Sequence, residues 1–226
     1  MTTSATASPP ASWERYRARL DAYANAPVNY DFARQSEYTS ATGWRLDDYA
    51  TDLPAEAPGP PAAAGAFAAA QDVLRRYAFP PPDLITGIFR PDGPLENRVM
   101  VLRAHFLVFN FYFGVRVSEV SDEAARATPA GPERVWGYGY RTLEGHFERG
   151  QIDFTIHKNL GTGAVRFCIH AVSQPGRIRN PFYWVGFKLF GRALQRKFAR
   201  ESLRRMRELV AAALAAPAPV SAAGLR

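Results

Sequence analysis

Few side chains in this sequence have the type and spacing for chemistry. There are four histidines and one cysteine. His105, His146, His157 and His170 lie far apart and make no metal-ligand spacing such as HExxH, so no metal is expected. A lone Cys168 excludes a disulfide framework and a cysteine-based zinc cluster. It has no basic neighbour to lower its pKa, which argues against a nucleophile. The chain contains no GxxxxGKS/T phosphate loop, no GxGxxG opening a helix and no GxSxG elbow. Nucleotide-dependent and serine-hydrolase chemistry therefore lose their usual signatures, and no cofactor is expected.

His146 is the strongest remaining candidate. It follows Glu144-Gly145 at the end of a predicted strand. There it has two readings: a general acid or base at a cavity rim, or a hydrogen bond that pins the loop. Asp31 and Glu144 are the carboxylates that would orient it. Tyr138 is the companion candidate, although buried tyrosines usually spend their hydroxyl on backbone. Glu148 reads as a loop residue and Asp153 as a strand residue, so they make no acid pair. His157, Cys168 and His170 take the outward parity of their strands.

The elements that must hold these residues follow from hydrophobic period. Ala11 to Ala24 reads as a short helix capped by Ser12, with Trp13, Tyr16, Leu20 and Tyr23 at helical spacing. Tyr38 to Tyr49 reads as irregular or weakly extended. Leu53 to Pro61 has four prolines and must be a loop. Ala62 to Tyr77 reads as a helix. Alternation then takes over in segments near 84–89, 98–109, 111–120, 133–143, 151–157 and 164–173. Inward residues are even-numbered in 100–108 and 152–156 and odd-numbered in 111–117 and 165–171. A long helix over about 181–215 closes the pattern, with Phe187, Leu194, Phe198, Ser202 and Leu209 along one side.

A sheet with one apolar face needs a cover, and the last helix is the only long amphipathic element. The expected class is α+β with a helix-grip plan, a curved antiparallel sheet wrapped around the C-terminal helix. An up-and-down barrel with a flanking helix is the alternative. Residues 12–215 read as a single domain, with 1–11 and 216–226 as disordered tails. The first residues do not read as a signal peptide, and the most apolar stretch, 104–115, reads as too short to span a bilayer. A cytoplasmic location is the expectation.

Charge is uneven. The net charge is +7, and residues 175–210 hold ten basic and two acidic side chains. Lys188, Arg192, Arg196, Arg200, Arg204 and Arg207 recur every three or four residues, which draws one stripe along a helix. The stripe is either a solvated face or a weak contact for an anionic membrane surface. No recognition motif stands beside it, so no specific nucleic acid is expected.

Several segments together resemble a known family. They are Asn29-Tyr30-Asp31, the run Tyr138-Gly139-Tyr140-Arg141-Thr142-Leu143-Glu144-Gly145-His146 with Gly150 and Phe154, Ser173-Gln174-Pro175, and the basic helix around Gln195 to Arg200. The chain is identified by them as similar to the domain of unknown function 1990 family, also called uncharacterised protein family 0548. The likeness covers about Asn29 to Val210. It implies a START/Bet v 1-like cavity protein, in agreement with the plan read from periodicity. The aromatic run Phe111-Tyr112-Phe113 departs from the family pattern.

The expected function is the binding of a hydrophobic small molecule or lipid between sheet and helix. Its lining would be Met100, Phe106, Phe111, Phe113, Tyr138, Tyr140, Phe154, Ile156, Phe167, Ile169 and Phe187. A cyclase or isomerase on the same scaffold, moving protons with His146 and a tyrosine, is the alternative. A membrane-peripheral protein using its basic helix is the third reading. The sequence gives no oligomeric state.

Overall fold

The computed structural model describes residues 13–106, 109–176 and 181–216, and the side chains of Phe106 and residues 181–190 lie outside the described set. Expectations for the two tails, Ser12, Phe187 and the Lys188 side chain therefore fall outside it. Phe106 has its backbone within a strand, and Phe187 and Lys188 have theirs within a helix.

The sheet is built from β1 (Arg45–Leu53), β2 (Ile85–Ile88), β3 (Val99–Phe106), β4 (Phe109–Arg126), β5 (Glu133–Thr142), β6 (Glu148–Asn159) and β7 (Val165–Pro175). Its spatial order is β1-β7-β6-β5-β4-β3-β2, and every pair is antiparallel. Among the described residues three α-helices accompany it: α1 (Arg17–Ala24), α2 (Ala66–Arg75) and α3 (Pro181–Ala215). This is the helix-grip plan, an antiparallel sheet with a long C-terminal helix.

Strand curvature has a local cause. A Cβ built on Gly137 would lie 2.1 Å from the carbonyl oxygen of Phe154 on the paired strand. Only glycine lets β5 and β6 approach and coil this tightly. Gly145, at φ 88°, turns the chain between the same two strands.

The concave face carries the main core. Met100, Tyr138, Tyr140, Phe154, Ile156, Phe167 and Ile169 all belong to one buried cluster, on the parity expected for them. The cover differs from the expectation that the last helix does this alone. α2 lies against β5, β6, β7 and α3, while α3 lies against α2, β1 and β7. Ala66 and Ala70 are buried and small, which lets α2 sit close. Phe79, just beyond α2, is fully buried with its ring 4.8 Å from Phe154 and 5.5 Å from Phe167.

α2 is held in place by an ion pair within the protein. Lys158 and Glu56, 1% and 6% exposed, meet at 2.7 Å. Glu56 also accepts the backbone N–H of Phe67 at 2.8 Å, so the carboxylate sits at the positive end of α2. Lys158 donates further to the carbonyl of Pro60. The proline-rich loop is thereby pinned under the helix it leads into.

α3 presents Gly191, Ala199, Ser202, Met206 and Val210 as its buried line. Leu194, Phe198 and Leu209 are only half-buried. The buried line thus shares Ser202 with the expected face, and Phe198 and Leu209 pack at its edge. On the convex face, Leu20 of α1 packs with Ile88 and Val101, ringed by Trp13, Tyr16 and Tyr23. Tyr30, Trp44 and Val172 form a second convex cluster. β1 is a full nine-residue strand where the sequence reads as irregular.

Candidate functional site

The end of the sheet where α3 begins gathers the start of β4, the β5–β6 loop, the start of β6 and the end of β7. Strand alternation sends Phe111 and Phe113 to the concave face, in step with buried Val115 and Val117. The β5–β6 loop adds Phe147 and His146. Phe113 lies 4.8 Å from Phe147 and 4.6 Å from the His146 ring, and Phe111 lies 5.5 Å from Phe147. All four rings remain half-buried, and Phe109 at the strand tip is 41% exposed. This contrasts with the fully sealed rings lower on the same face.

Of the expected lining, Phe111 and Phe113 stand at this end. Met100, Tyr138, Phe154, Ile156, Phe167 and Ile169 lie deeper, packed in the cluster that α2, Tyr77 and Phe79 close. Tyr140 stands at the border: it is 5% exposed, and its hydroxyl lies 3.2 Å from that of Tyr77.

The proposed acid–base pair meets a different chemistry. His146 Nδ1 accepts the backbone N–H of Glu148 at 3.0 Å, which fixes the neutral tautomer with its proton on Nε2. Burial pushes its pKa down to about 4. Neither Asp31 nor Glu144 hydrogen-bonds the ring. Tyr138 donates its hydroxyl to the carbonyl of Leu74 at 3.0 Å, and burial holds its proton far above the working range. His146 thus pins the loop and Tyr138 ties β5 to α2. Cys168 is half-buried, and its thiol is pushed up to about 11 by burial.

The titratable group that sequence reasoning missed is Glu148. It is the first residue of β6, not a loop residue. The even parity of Ile152, Phe154 and Ile156 extends back to it and sends it to the concave face. Its carboxyl accepts a hydrogen bond from Gln195 of α3. Burial raises its pKa to about 7, against the opposing pull of Arg45 and Arg192. Beside it, Arg192 grips Asp47 of β1 through two hydrogen bonds, one of 2.6 Å. That pairing holds the Asp47 carboxyl below its usual range. The chain Asp47–Arg192–Gln195–Glu148 therefore straps α3 across β1 and β6.

A shallow pocket of about 340 Å³ opens at the rim of this end, lined by Asn29, Glu144, Gly145, His146, Arg149, Pro175 and Gly176. Asn29 donates to the carbonyl of Glu148 at 2.9 Å, and Thr142 donates to Asn29 at 2.6 Å. These bonds join the N-terminal segment to the loop that carries His146.

The basic stripe of α3 divides. Arg192 is spent on Asp47, and Arg204 pairs with Glu201 and Glu208. Arg196, Arg200 and Arg207 are exposed and form no ion pair among the described residues. Among the described residues, no helix is long and apolar enough to cross a membrane.

Comparison with solved structures finds several distant similarities. The crystal structure of Ara h 8.0201 aligns with a TM-score of 0.44 and 12% identity, over 75% of this chain and 99% of that one. A point mutant of Thalictrum flavum norcoclaurine synthase, in complex with a transition-state analogue, gives 0.47 and 8%, over 75% and 95%. The ZhuI aromatase/cyclase from Streptomyces sp. R1128 gives 0.48 and 14%, over 75% and 93%. No curated protein matches the sequence. The family model for the domain of unknown function DUF1990 matches residues 29–205. That span contains the Tyr138–Gly150 run, the loop it folds into and the strap from α3, and the chain belongs to the DUF1990 family.

Proposed function

We propose that the protein binds a hydrophobic small molecule or lipid at the α3 end of the concave face. One observation carries the reading. Phe111, Phe113 and Phe147 meet at ring distances of 4.8 to 6.4 Å yet stay half-buried, while Tyr138, Phe154 and Phe167 deeper on that face are sealed. Half-exposed aromatic clusters on a concave face are what a small apolar ligand covers.

Titration with Nile red, a neutral fluorescent probe, tests this. Saturable, blue-shifted emission is expected, weakened more than about tenfold in Phe113→Asp at unchanged thermal midpoint. No saturable binding, or identical binding in that variant, would contradict the reading.

A second reading, a cyclase or isomerase, draws on Glu148, whose carboxyl titrates near neutral pH beside those rings. Glu148, not His146 or Tyr138, would then move the proton. Among the described residues of the stripe, peripheral membrane contact draws on Arg196, Arg200 and Arg207.

A further inference from the structure

We infer that the site selects ligands bearing an oxygen hydrogen-bond acceptor, a ketone or hydroxyl on an apolar ring body, and that the Tyr140 hydroxyl and the Glu148 carboxyl are the groups that read it. This rests on the binding reading above and names the chemical class that the site takes.

The first support is an unspent proton. Tyr77 and Tyr140 place their hydroxyls 3.2 Å apart, and both residues are buried. Two hydroxyls carry two protons, and their mutual bond uses one. The other has no acceptor among the described residues. Tyr138, one inward position away, is unlike them because the Leu74 carbonyl takes its proton. A buried donor without a partner is destabilising. The backbone at Tyr77 is also left-handed, at φ 52°, a conformation that side-chain-bearing residues seldom adopt. The chain tolerates that strain where the ring meets Tyr140.

The second support is the carboxyl on the neighbouring strand. Gln195 bonds one oxygen of Glu148 and leaves the other without a partner among the described residues. Glu148 lies close enough that its charge opposes ionisation of Tyr140. Tyr140 pairs with Ile152, four residues along β6 from Glu148 on the same inward parity, and Glu148 directly follows Phe147. A ligand whose ring lies on Phe113 and Phe147 would bring its oxygen to Tyr140 and Glu148. The ligand would then supply the acceptor that the described residues lack.

Competition against Nile red with 2-naphthol and with naphthalene tests the inference, because the two probes share one ring body. Wild-type protein should prefer 2-naphthol by about five- to tenfold, the worth of one to two hydrogen bonds. Tyr140→Phe and Glu148→Met should each cut that preference at least threefold and leave naphthalene unchanged. Tyr77→Phe, which alters the same buried pair but keeps the Tyr140 donor, should retain the preference. Equal affinity for the two probes, or a preference that survives both Tyr140→Phe and Glu148→Met, would overturn the assignment and leave the apolar pocket standing. Displacement by neither probe, with no saturable Nile red binding, would overturn the pocket itself and this inference with it.

Discussion

Glu148 meets His146 through its backbone, donating its N–H to Nδ1 at 3.0 Å, and sends its side chain the other way, to Gln195 of α3. One residue thus fixes the loop that carries the aromatic cluster and the helix that covers it. The two side chains also respond to burial in opposite ways: His146 is held neutral down to about pH 4, and Glu148 holds its proton up to about pH 7. Between about pH 4 and pH 7 both side chains are therefore uncharged, which suits an apolar ligand.

Glu148 makes stability depend on pH with a definite sign. In the unfolded chain the carboxyl loses its proton near the ordinary value of 4.5, and in the folded chain near 7. Between those values the folded state holds more protons, so stability falls as pH rises through that window and levels off above it. Glu148→Gln cannot ionise and keeps the bond to Gln195. Urea denaturation should show the variant gaining on wild type from pH 4.5 to pH 7.5. A constant difference across that range would remove Glu148 from the strap.

Lys158 and Glu56 should be costly to separate. Lys158→Ala leaves a buried carboxylate without its cation and should lose about 3–5 kcal/mol in urea denaturation. The carboxyl of Glu56 is held below its usual range by Lys158 and by two backbone N–H groups, against its own burial. Its contribution is therefore present above about pH 4.5 and lost as pH falls below it. A loss under 1 kcal/mol, or no change in the acid limb, would contradict this account of how α2 is held.

Tyr138→Phe separates structure from function. The substitution removes one donor from the Leu74 carbonyl, which keeps the backbone N–H of Tyr77, and should cost about 0.5–1.5 kcal/mol. Nile red affinity should stay within twofold of wild type. A larger loss of binding at intact stability would return Tyr138 to the site.

Much of this was legible in the sequence, and the failures have physical causes. Strands β2 to β7 announce themselves because their inward positions are apolar and alternate. β1 does not, because its inward set begins Arg45, Asp47, Tyr49 and Thr51, and Asp47 is there to receive Arg192. α2 is short and alanine-rich, so its role as a cover shows only once Glu56 and Lys158 place it. Glu148 escaped notice because Gly150 suggests a turn; in fact Gly150 lies inside β6 at φ 148° and the parity runs through it. The family motif located the loop around His146 correctly, but it could not reveal that the ring spends its nitrogen on a backbone amide.

The unpaired part of the basic stripe gives a graded prediction. With three exposed cations that form no ion pair among the described residues, each worth about 1 kcal/mol near an anionic surface, binding to phosphatidylserine vesicles should be weak and vanish at physiological salt. Arg200→Glu should abolish co-sedimentation at low salt. Binding that resists salt would call for an apolar insertion instead, and no binding at low salt would make the stripe a solvated face.

Native mass spectrometry of the purified protein tests the central claim most directly. The account predicts a bound mass of a few hundred daltons, or stoichiometric uptake of added Nile red, with both lost in Phe113→Asp. A chain that is ligand-free as purified and takes up no probe, with Phe113→Asp indistinguishable from wild type, would contradict it.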